Sequence, residues 1–296
     1  MRLRANSNPS HAMYAISPLR YPGAKWRLDN FVSALIRDNG LAGGHYAEPY
    51  AGGASLALSL LFGGRVAEVH LNDLDRSVWA FWKSAVEHSG ELVGRVRSTK
   101  VTIDEWHVQR EVQANKHSAS ILDLGFSTFF LNRTNRSGII TGGVVGGKAQ
   151  SGKWKLDARF NKTNLVERLE RIRAYKTQIH VTRLDALTFI ARRGESLPPK
   201  RSLMYLDPPY FAKGQDLYMN AYRPGDHAAV ADAVMQQLKV PWLVSYDDVP
   251  EIRSLYGASR RIRYALRYSA SSTRTGQEVI FMCPGIRARR ELLLAA

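Results

Sequence analysis

Short apolar runs and longer amphipathic stretches alternate along the first ninety residues of the chain. The apolar runs are typical of buried strands, and the longer stretches have the spacing of helices that pack on a sheet. The pattern predicts helix, strand, helix, strand and helix in that order, at Leu28–Asp38, His45–Glu48, Ser55–Phe62, Arg65–Leu71 and Arg76–His88. This order is the beginning of a doubly wound α/β sheet.

The alternation stops between residues 91 and 175. Residues 91–130 predict helices without a strand between them, residues 135–160 are rich in Gly, Asn, Ser and Lys, and Leu165–Tyr175 is helical again. We therefore expect an inserted, mainly helical domain at residues 91–175.

The strand pattern resumes after the insertion. Five further strands are predicted at Gln178–Thr182, Ser202–Leu206, Trp242–Val244, Ile262–Leu266 and Glu278–Met282, with helices at 226–238 and 249–256. Only a loop separates the last two strands, which predicts a terminal antiparallel hairpin. Residues 14–90 and 176–290 are expected to form one α/β domain, and residues 1–13 a polar tail.

Charge points to a polyanionic partner. The chain has 42 Lys and Arg against 26 Asp and Glu, a net charge of +16. Residues 14–90 carry 7 basic and 7 acidic side chains, whereas residues 91–175 carry 15 and 8. The basic excess therefore suggests nucleic acid as a partner and places part of it in the insertion.

Other features of the composition restrict the location of the protein. Cys283 is the only cysteine, so a disulfide or a cysteine-based zinc site cannot form within the chain, and a reducing compartment fits. Apolar stretches are too short to span a membrane, and residues 1–13 lack the apolar core of a signal peptide. We expect a cytoplasmic protein without a membrane partner.

The tetrapeptide Asp207, Pro208, Pro209 and Tyr210 follows the predicted strand Ser202–Leu206 directly. Ligands of open α/β sheets bind at the carboxyl ends of the strands. The two prolines stiffen the backbone and leave its carbonyls free to accept hydrogen bonds. Asp207 and the Pro208 carbonyl can accept both hydrogens of an exocyclic amine, and Tyr210 can stack on the base that carries it. The motif predicts methylation of a nucleobase amine.

Acids also follow the first two strands. Glu48, Pro49 and Gly52 lie in a turn where glycine allows a ligand to approach the backbone, without the Gly-x-Gly-x-x-Gly spacing of dinucleotide sites. Glu48 would repel a pyrophosphate but attract the ammonium or sulfonium group of S-adenosylmethionine (AdoMet). Asn72 and Asp73 end the second strand, where a carboxylate can accept from both ribose hydroxyls. Capping of the next helix is the alternative role.

Two weaker candidate sites lie elsewhere. Asp185 and Ala186 follow the third strand, where the acid can read the adenine edge of a cofactor or cap the next helix. Tyr21 and Lys25 precede the first strand and can close over the cofactor or line the base pocket.

Together these motifs resemble the Dam-like N6-adenine DNA methyltransferases, in which cofactor motifs, a target-recognition insertion and Asp-Pro-Pro-Tyr follow in that order. The resemblance covers about residues 16–285. It implies a Rossmann-like AdoMet-dependent methyltransferase sheet, AdoMet as cofactor, double-stranded DNA as partner, no metal, and a monomer or dimer. The implied reaction is methyl transfer to N6 of a flipped-out adenine. Two positions depart from the family pattern: Tyr21 stands where Trp is common, and Ala24 replaces a glycine before Lys25.

The resemblance extends into the insertion. Residues 129–138 resemble the family's Leu-Asn-Arg segment, and residues 152–162 resemble a DNA-contact loop. The implied DNA-binding residues are Asn132, Arg133, Asn135, Arg136, Lys153, Arg159, Asn161 and Lys162.

Competing functions stay open from the residues alone. A methyltransferase acting on adenine in RNA would need the same amine chemistry, and a magnesium-dependent nuclease could use Asp73, Asp185 and Asp207. A catalytically silent DNA-binding module is a third alternative. A C5-cytosine enzyme is disfavoured because Cys283 precedes its proline, and N4-cytosine enzymes generally carry Ser in place of Asp207.

Overall fold

A computed structural model describes residues 16–21, 25–212, 222–257, 259–268 and 274–294. The chain divides into two compact units. The first unit contains the described residues of Met1–Trp26, Gly53–Ser59 and Ala80–Lys176, and the second contains those of Arg27–Gly52, Leu60–Trp79 and Thr177–Ala296. The assignment of residues 91–175 to a target-recognition domain remains a prediction.

A seven-stranded sheet organises the second unit. Its strands are β1 His45–Glu48, β2 Glu68–Asn72, β3 Ile179–Thr182, β4 Ser202–Leu206, β5 Trp242–Asp247, β6 Arg260–Tyr268 and β7 Arg274–Met282. The order is β3-β2-β1-β4-β5-β7-β6. Strands β1 to β5 are mutually parallel, and β7 is antiparallel to both β5 and β6. The order confirms the predicted Rossmann-like methyltransferase sheet with a terminal antiparallel hairpin.

Helices surround or interrupt this strand order along the chain. They are α1 Asp29–Asp38, α2 Ser55–Phe62, α3 Arg76–Glu87, α4 Ser89–Ser98, α5 Ile103–Ala114, α6 Ile121–Thr134, α7 Lys162–Ala174, α8 Ala186–Ser196, α9 Pro224–Asp232, α10 Pro250–Tyr256 and α11 Arg290–Leu294. The insertion is mainly helical, as predicted. No described helix combines the length and the apolar character needed to cross a bilayer.

The core of the second unit explains why its central strands are continuous apolar runs. Every residue of β4 and β5 is buried, as expected for central strands of a sheet that is covered on both faces. Met204 and Trp242 belong to one cluster with Phe189, Tyr256 and Phe281. Burial of each such side chain contributes about 1.5–3 kcal/mol, so this cluster fixes the strands whose ends form the site.

The first unit is built around α6, which is buried from Leu124 to Thr134. Phe129 stacks on Phe81 and meets Phe160 edge-on. Gly125 is required for the close approach to α3, since a Cβ there would lie 2.3 Å from Ser84 Oγ. Because this helix is buried on all sides, even its polar residues lie inside the unit, and these include the Leu-Asn-Arg segment.

Candidate active site

Four acidic or amide side chains lie at one edge of the sheet. Glu48 and Asn72 end β1 and β2, Asp207 directly follows β4, and Asp247 ends β5. Because these strands are parallel, their carboxyl ends share an edge. From β1 the chain adds β2 and then β3 on one side of β1, and it later adds β4 and β5 on the opposite side. The strand order therefore reverses between β1 and β4. Such a reversal creates a ligand-binding crevice.

Asp207 is held by a hydroxyl from the neighbouring strand. Ser245 Oγ donates to Asp207 Oδ1 at 2.6 Å, and the Ser245 and Tyr205 hydroxyls lie 2.7 Å apart. Both partners are buried, whereas Asp207 is half-buried. A hydrogen bond from a hydroxyl to a carboxylate is short and strong. The bond therefore orients the Asp207 carboxylate at the strand end.

Tyr210 is fixed by a buried acid that the sequence analysis missed. The Tyr210 hydroxyl donates to Glu278 Oε1, and the Tyr264 hydroxyl donates to Glu278 Oε2. Glu278 is 1 % exposed, and two hydroxyl donors to a carboxylate form strong, charge-assisted hydrogen bonds. Burial, followed by the charge of Glu278, raises the pKa of Tyr264 well above its usual value. The Tyr210 ring is therefore held in one orientation.

The backbone after Tyr210 is also held by β5. Asp247 is buried and accepts from the Phe211 and Ala212 amides, both at 2.9 Å. It lies directly opposite Glu278 in the β5–β7 register. In the sequence, Asp247 and Glu278 each stand out only as an acid beside an apolar run. The pairing of β5 with β7 places them opposite each other. Strand β7 thus holds the Tyr210 side chain, and strand β5 holds the backbone that follows it.

Glu48 is a buried acid close to the same phenols. It is 5 % exposed, and the Tyr46 hydroxyl donates to its Oε1 at 3.0 Å. Burial first, and then the charges of Glu48 and Asp207 among others, raises the pKa values of Tyr46 and Tyr205. The two acids therefore border one group of tyrosines. A buried carboxylate of this kind favours a cationic ligand.

Asp73 faces the glycine turn after β1. The Gly52 amide donates to its Oδ2 at 2.9 Å, and the Asp75 amide donates to its Oδ1 at 3.0 Å. Gly52 has φ +45°, which favours glycine. Asp75 takes the capping role instead, since it accepts from the Ser77 amide at 2.7 Å. Burial raises the pKa of Asp73 to about 7, so its charge changes near neutral pH.

The Asn72 side chain is engaged in hydrogen bonds within the fold. Its Nδ2 donates to the carbonyls of Pro49 and Leu184, and its Oδ1 accepts from the Thr182 hydroxyl and the Leu184 amide. These four bonds use the hydrogen-bonding groups of a side chain that is 1 % exposed. A direct cofactor contact by this side chain does not fit. Asn72 instead ties together the loops that follow β1, β2 and β3.

The weaker cofactor candidates show structural roles. Asp185 Oδ1 accepts from the Thr188 amide at 3.0 Å and so caps α8, while its side chain remains exposed and Ala186 is buried. In the first unit, Lys25 is buried and Tyr21 lies against Gly53, where a Cβ would be 2.8 Å from the Tyr21 Cβ. Residues 22–24, which include Ala24, lie outside the described residues.

The Leu-Asn-Arg segment lies inside the first unit. Asn132 donates to the carbonyls of Arg20 and Gly138 and accepts from the Arg20 amide, all within 2.8 Å. Asn135 accepts from Trp106 Nε1 and donates to two backbone carbonyls. The two asparagines are 2 % and 0 % exposed, so their predicted contact with DNA does not fit. They hold the fold of the first unit together.

Arg133 belongs to a cluster of cations in the same unit. Its Nε donates to the Pro18 carbonyl at 2.7 Å, while its buried Nη2 makes no hydrogen bond among the described residues. Burial first, and then the charges of Arg168, Arg20 and Arg159, lowers the pKa of Arg133 to about 9. We call Arg20, Arg133, Arg159 and Arg168 the arginine cluster. Like charges that influence Arg133 in this way favour an anion such as phosphate nearby.

The remaining DNA-binding candidates divide into exposed and anchored side chains. Arg136, Lys153 and Arg159 are exposed. Asn161 caps α7 by accepting from the Asn164 amide, and Lys162 Nζ donates to the Arg97 carbonyl at 2.8 Å. Anchored in this way, Asn161 and Lys162 are weaker candidates than the three exposed cations.

Residues 141–155 form a loop that displays an aromatic residue absent from the predicted set. Gln150 Nε2 donates to the carbonyls of Val145 and Gly147, and its Oε1 accepts from the Leu156 amide. Trp154 is 65 % exposed, and Lys153 Nζ lies 5.8 Å from its ring centroid. An exposed tryptophan beside a cation, on a loop held by internal hydrogen bonds, suits a nucleic-acid surface.

Comparison with known proteins finds a family model that matches most of the chain. Residues 21–269 match the family model described as D12 class N6 adenine-specific DNA methyltransferase. No curated protein matches the chain. Among solved structures, the rRNA methyltransferase aviRa from Streptomyces viridochromogenes aligns at 13% identity and a TM-score of 0.36, over 90% of this chain and 86% of that one. Similarity at that level carries no argument about the substrate.

Proposed function

Because the chain belongs to the D12 class N6 adenine-specific DNA methyltransferase family, we propose that it transfers the methyl group of AdoMet to N6 of an adenine turned out of double-stranded DNA. The carrying observation is the paired support of the tetrapeptide: Ser245 orients Asp207, and Glu278 orients Tyr210. An acceptor and an aromatic ring fixed side by side at a strand end suit a flat base with an exocyclic amine.

The side chains at the crevice fit AdoMet. Each oxygen of Asp73 already accepts one backbone amide and keeps a lone pair, so the carboxylate can accept from two neighbouring ribose hydroxyls. The buried carboxylate of Glu48 suits the positively charged end of the cofactor. Tyr21, Lys25 and Asp185 remain candidates on the family's motifs alone. When bound, AdoMet supplies a methyl group activated by its sulfonium.

Asp207 acts on the amine that receives the methyl group. Its carboxylate and the Pro208 carbonyl accept the two amine hydrogens, which favours a pyramidal nitrogen with an available lone pair. The new N–C bond forms as the S–CH3 bond of AdoMet breaks and leaves the neutral thioether, and the methylated amine then releases one proton to solvent by way of Asp207. Since attack is in-line, most of the acceleration comes from positioning and electrostatics, and Asp207 is an acceptor rather than a strong base.

Tyr210 offsets the cost of turning the base out of the duplex. That cost is a few kcal/mol, and stacking on an aromatic ring returns about 1–3 kcal/mol. The contact with Glu278 orients the Tyr210 hydroxyl, so little side-chain freedom remains to be lost on binding.

DNA binding is proposed for residues 91–175 of the basic insertion. Arg136, Lys153 and Arg159 are exposed and offer positive charge to the phosphate backbone, and the buried Arg133 adds to the positive potential around them. Each neutralised phosphate contributes about 0.9 to the slope of log affinity against log salt. Trp154 is proposed to contact a base or sugar of the DNA.

Two measurements test the function. AdoMet binding by calorimetry separates a methyltransferase from a metal-dependent nuclease or a silent DNA-binding module, and Asp73→Ala should weaken that binding by about 1–3 kcal/mol. Single-molecule sequencing of DNA from a non-methylating host should then show N6-methyladenine at one sequence with the wild-type chain and none with Asp207→Ala. Methyladenine confined to the RNA of that host would favour the alternative substrate.

A further inference from the structure

A second polar cluster lies at the amino ends of the strands, away from the proposed active site. His45 and Glu68 are the first residues of β1 and β2 and pair in register. His70 on β2 pairs with His180 on β3. We call these four residues the histidine cluster. Along β1, His45 lies three residues before Glu48, or about 10 Å at the rise of a strand, so the cluster is separate from the crevice.

The geometry of three members matches a single metal ion. His45 Nδ1 lies 3.2 Å from His70 Nε2 and 3.7 Å from Glu68 Oε2, and the three donor atoms all lie within 4.8 Å of one another. Tetrahedral Zn²⁺ with bonds of about 2.0–2.1 Å holds its ligand atoms ~3.4 Å apart. We propose that His45, Glu68 and His70 bind a divalent cation of the Zn²⁺ type.

His180 supports this site without being one of the three ligands. Its Nε2 lies 2.7 Å from Glu68 Oε2, and its ring stacks on His70 at a centroid distance of 4.7 Å. A partner that orients a ligating carboxylate usually affects metal affinity by about 10–100-fold. His180 is therefore a positioning residue.

The donor set and its exposure define the kind of ion. Two imidazoles with one carboxylate suit Zn²⁺ and similar transition metals, whereas Mg²⁺ and Ca²⁺ prefer oxygen donors. His70 is 5 % exposed, while His45 and Glu68 are half-exposed, so an ion can enter from solvent. The ion would tie β1 to β2, and through His180 the edge strand β3, so its effect would be on stability.

Calorimetry on tag-free, chelator-treated protein tests the site with Zn²⁺ alone as the probe. The wild-type chain should bind one ion, His45→Ala and Glu68→Gln should each weaken binding by more than about 100-fold, and His180→Ala by about tenfold. His88→Ala is the matched control. Its Nδ1 lies 3.8 Å from Glu91 Oε1, but this pair is in no group of three donors among the described residues, so its removal should leave Zn²⁺ affinity unchanged.

Two further readouts make the result decisive. Co²⁺ bound to the wild-type chain should give the strong visible absorption of a tetrahedral complex, and Zn²⁺ should raise the melting temperature of the wild type and the His88 variant only. Circular dichroism confirms that each variant is folded. Absence of Zn²⁺ binding, or equal affinity in all variants, would show that the cluster is held by its own hydrogen bonds alone. Methyl transfer by the chelator-treated enzyme should persist. Failure of the Zn²⁺ test would therefore leave the proposed methyl-transfer activity untouched.

Discussion

Asp207 and Asn132 are both polar residues within recognisable sequence motifs, but they have opposite roles in the structure. Asp207 is half-buried at a strand end, where Ser245 orients its carboxylate. Asn132 is 2 % exposed, and its amide is bonded to the Arg20 and Gly138 backbone. A polar residue that is accessible at a strand end can serve a ligand, whereas a polar residue buried among backbone partners serves the fold.

The largest effect is expected from removing the acceptor itself. Asp207→Ala should lower the rate of methyl transfer by at least about 10³-fold, because the amine loses an oriented partner as charge develops. AdoMet affinity should stay within about tenfold by calorimetry, since the variant leaves Glu48 and Asp73 in place. Asp207→Asn should keep residual activity. Wild-type-like turnover in Asp207→Ala would contradict the assignment.

Asn132→Ala should instead act on stability. It leaves the Arg20 amide and two buried carbonyls without partners, which costs about 3 kcal/mol in the free energy of unfolding. Urea unfolding measures this, with Asn161→Ala as the control that removes only a helix cap, at about 1 kcal/mol. A variant that unfolds like the wild type but loses DNA affinity would restore Asn132 as a DNA contact.

A smaller effect follows from the ionisation of Asp73. Its pKa of about 7 means that the carboxylate is increasingly protonated as pH falls below 7, and a protonated acid has less capacity to accept from two hydroxyls. Affinity for methylthioadenosine, which has the ribose but no amino-acid group, should fall by up to about tenfold per pH unit below pH 7 and level off above it. Asp73→Asn should remove the pH dependence. Persistence of the same profile in that variant would assign it to another group.

The smallest effect is expected at the exposed surface. Trp154→Ala should weaken DNA affinity by about fivefold, near the lower limit for one stacking contact, without changing the unfolding free energy. Trp154→Phe should recover part of the loss, because a ring remains. Fluorescence anisotropy with duplex DNA at fixed salt measures both. Equal affinity of the Ala variant and the wild type would remove this loop from the interface.

The same contrast explains what the sequence could predict. Strand β4 and the motif after it were predicted to the residue because the apolar run and the Asp-Pro-Pro-Tyr signal are local. Glu278 was missed because it lies 68 residues from Tyr210, and their contact depends on the β5–β7 register. The burial of Asn132 could not be predicted because it depends on packing around all sides of α6. Long-range pairing and all-round burial are not written in a single local pattern.

The central claim is that the supported Asp207–Tyr210 pair methylates adenine N6. Incubation with tritiated AdoMet and duplex DNA in excess EDTA, followed by nucleoside analysis, tests it most directly. We predict label in N6-methyladenine, at a rate that chelator does not abolish, since AdoMet carries its own activated methyl group and the proposed metal site lies at the opposite ends of the strands. Label in N4-methylcytosine, or complete loss of activity in EDTA, would contradict it.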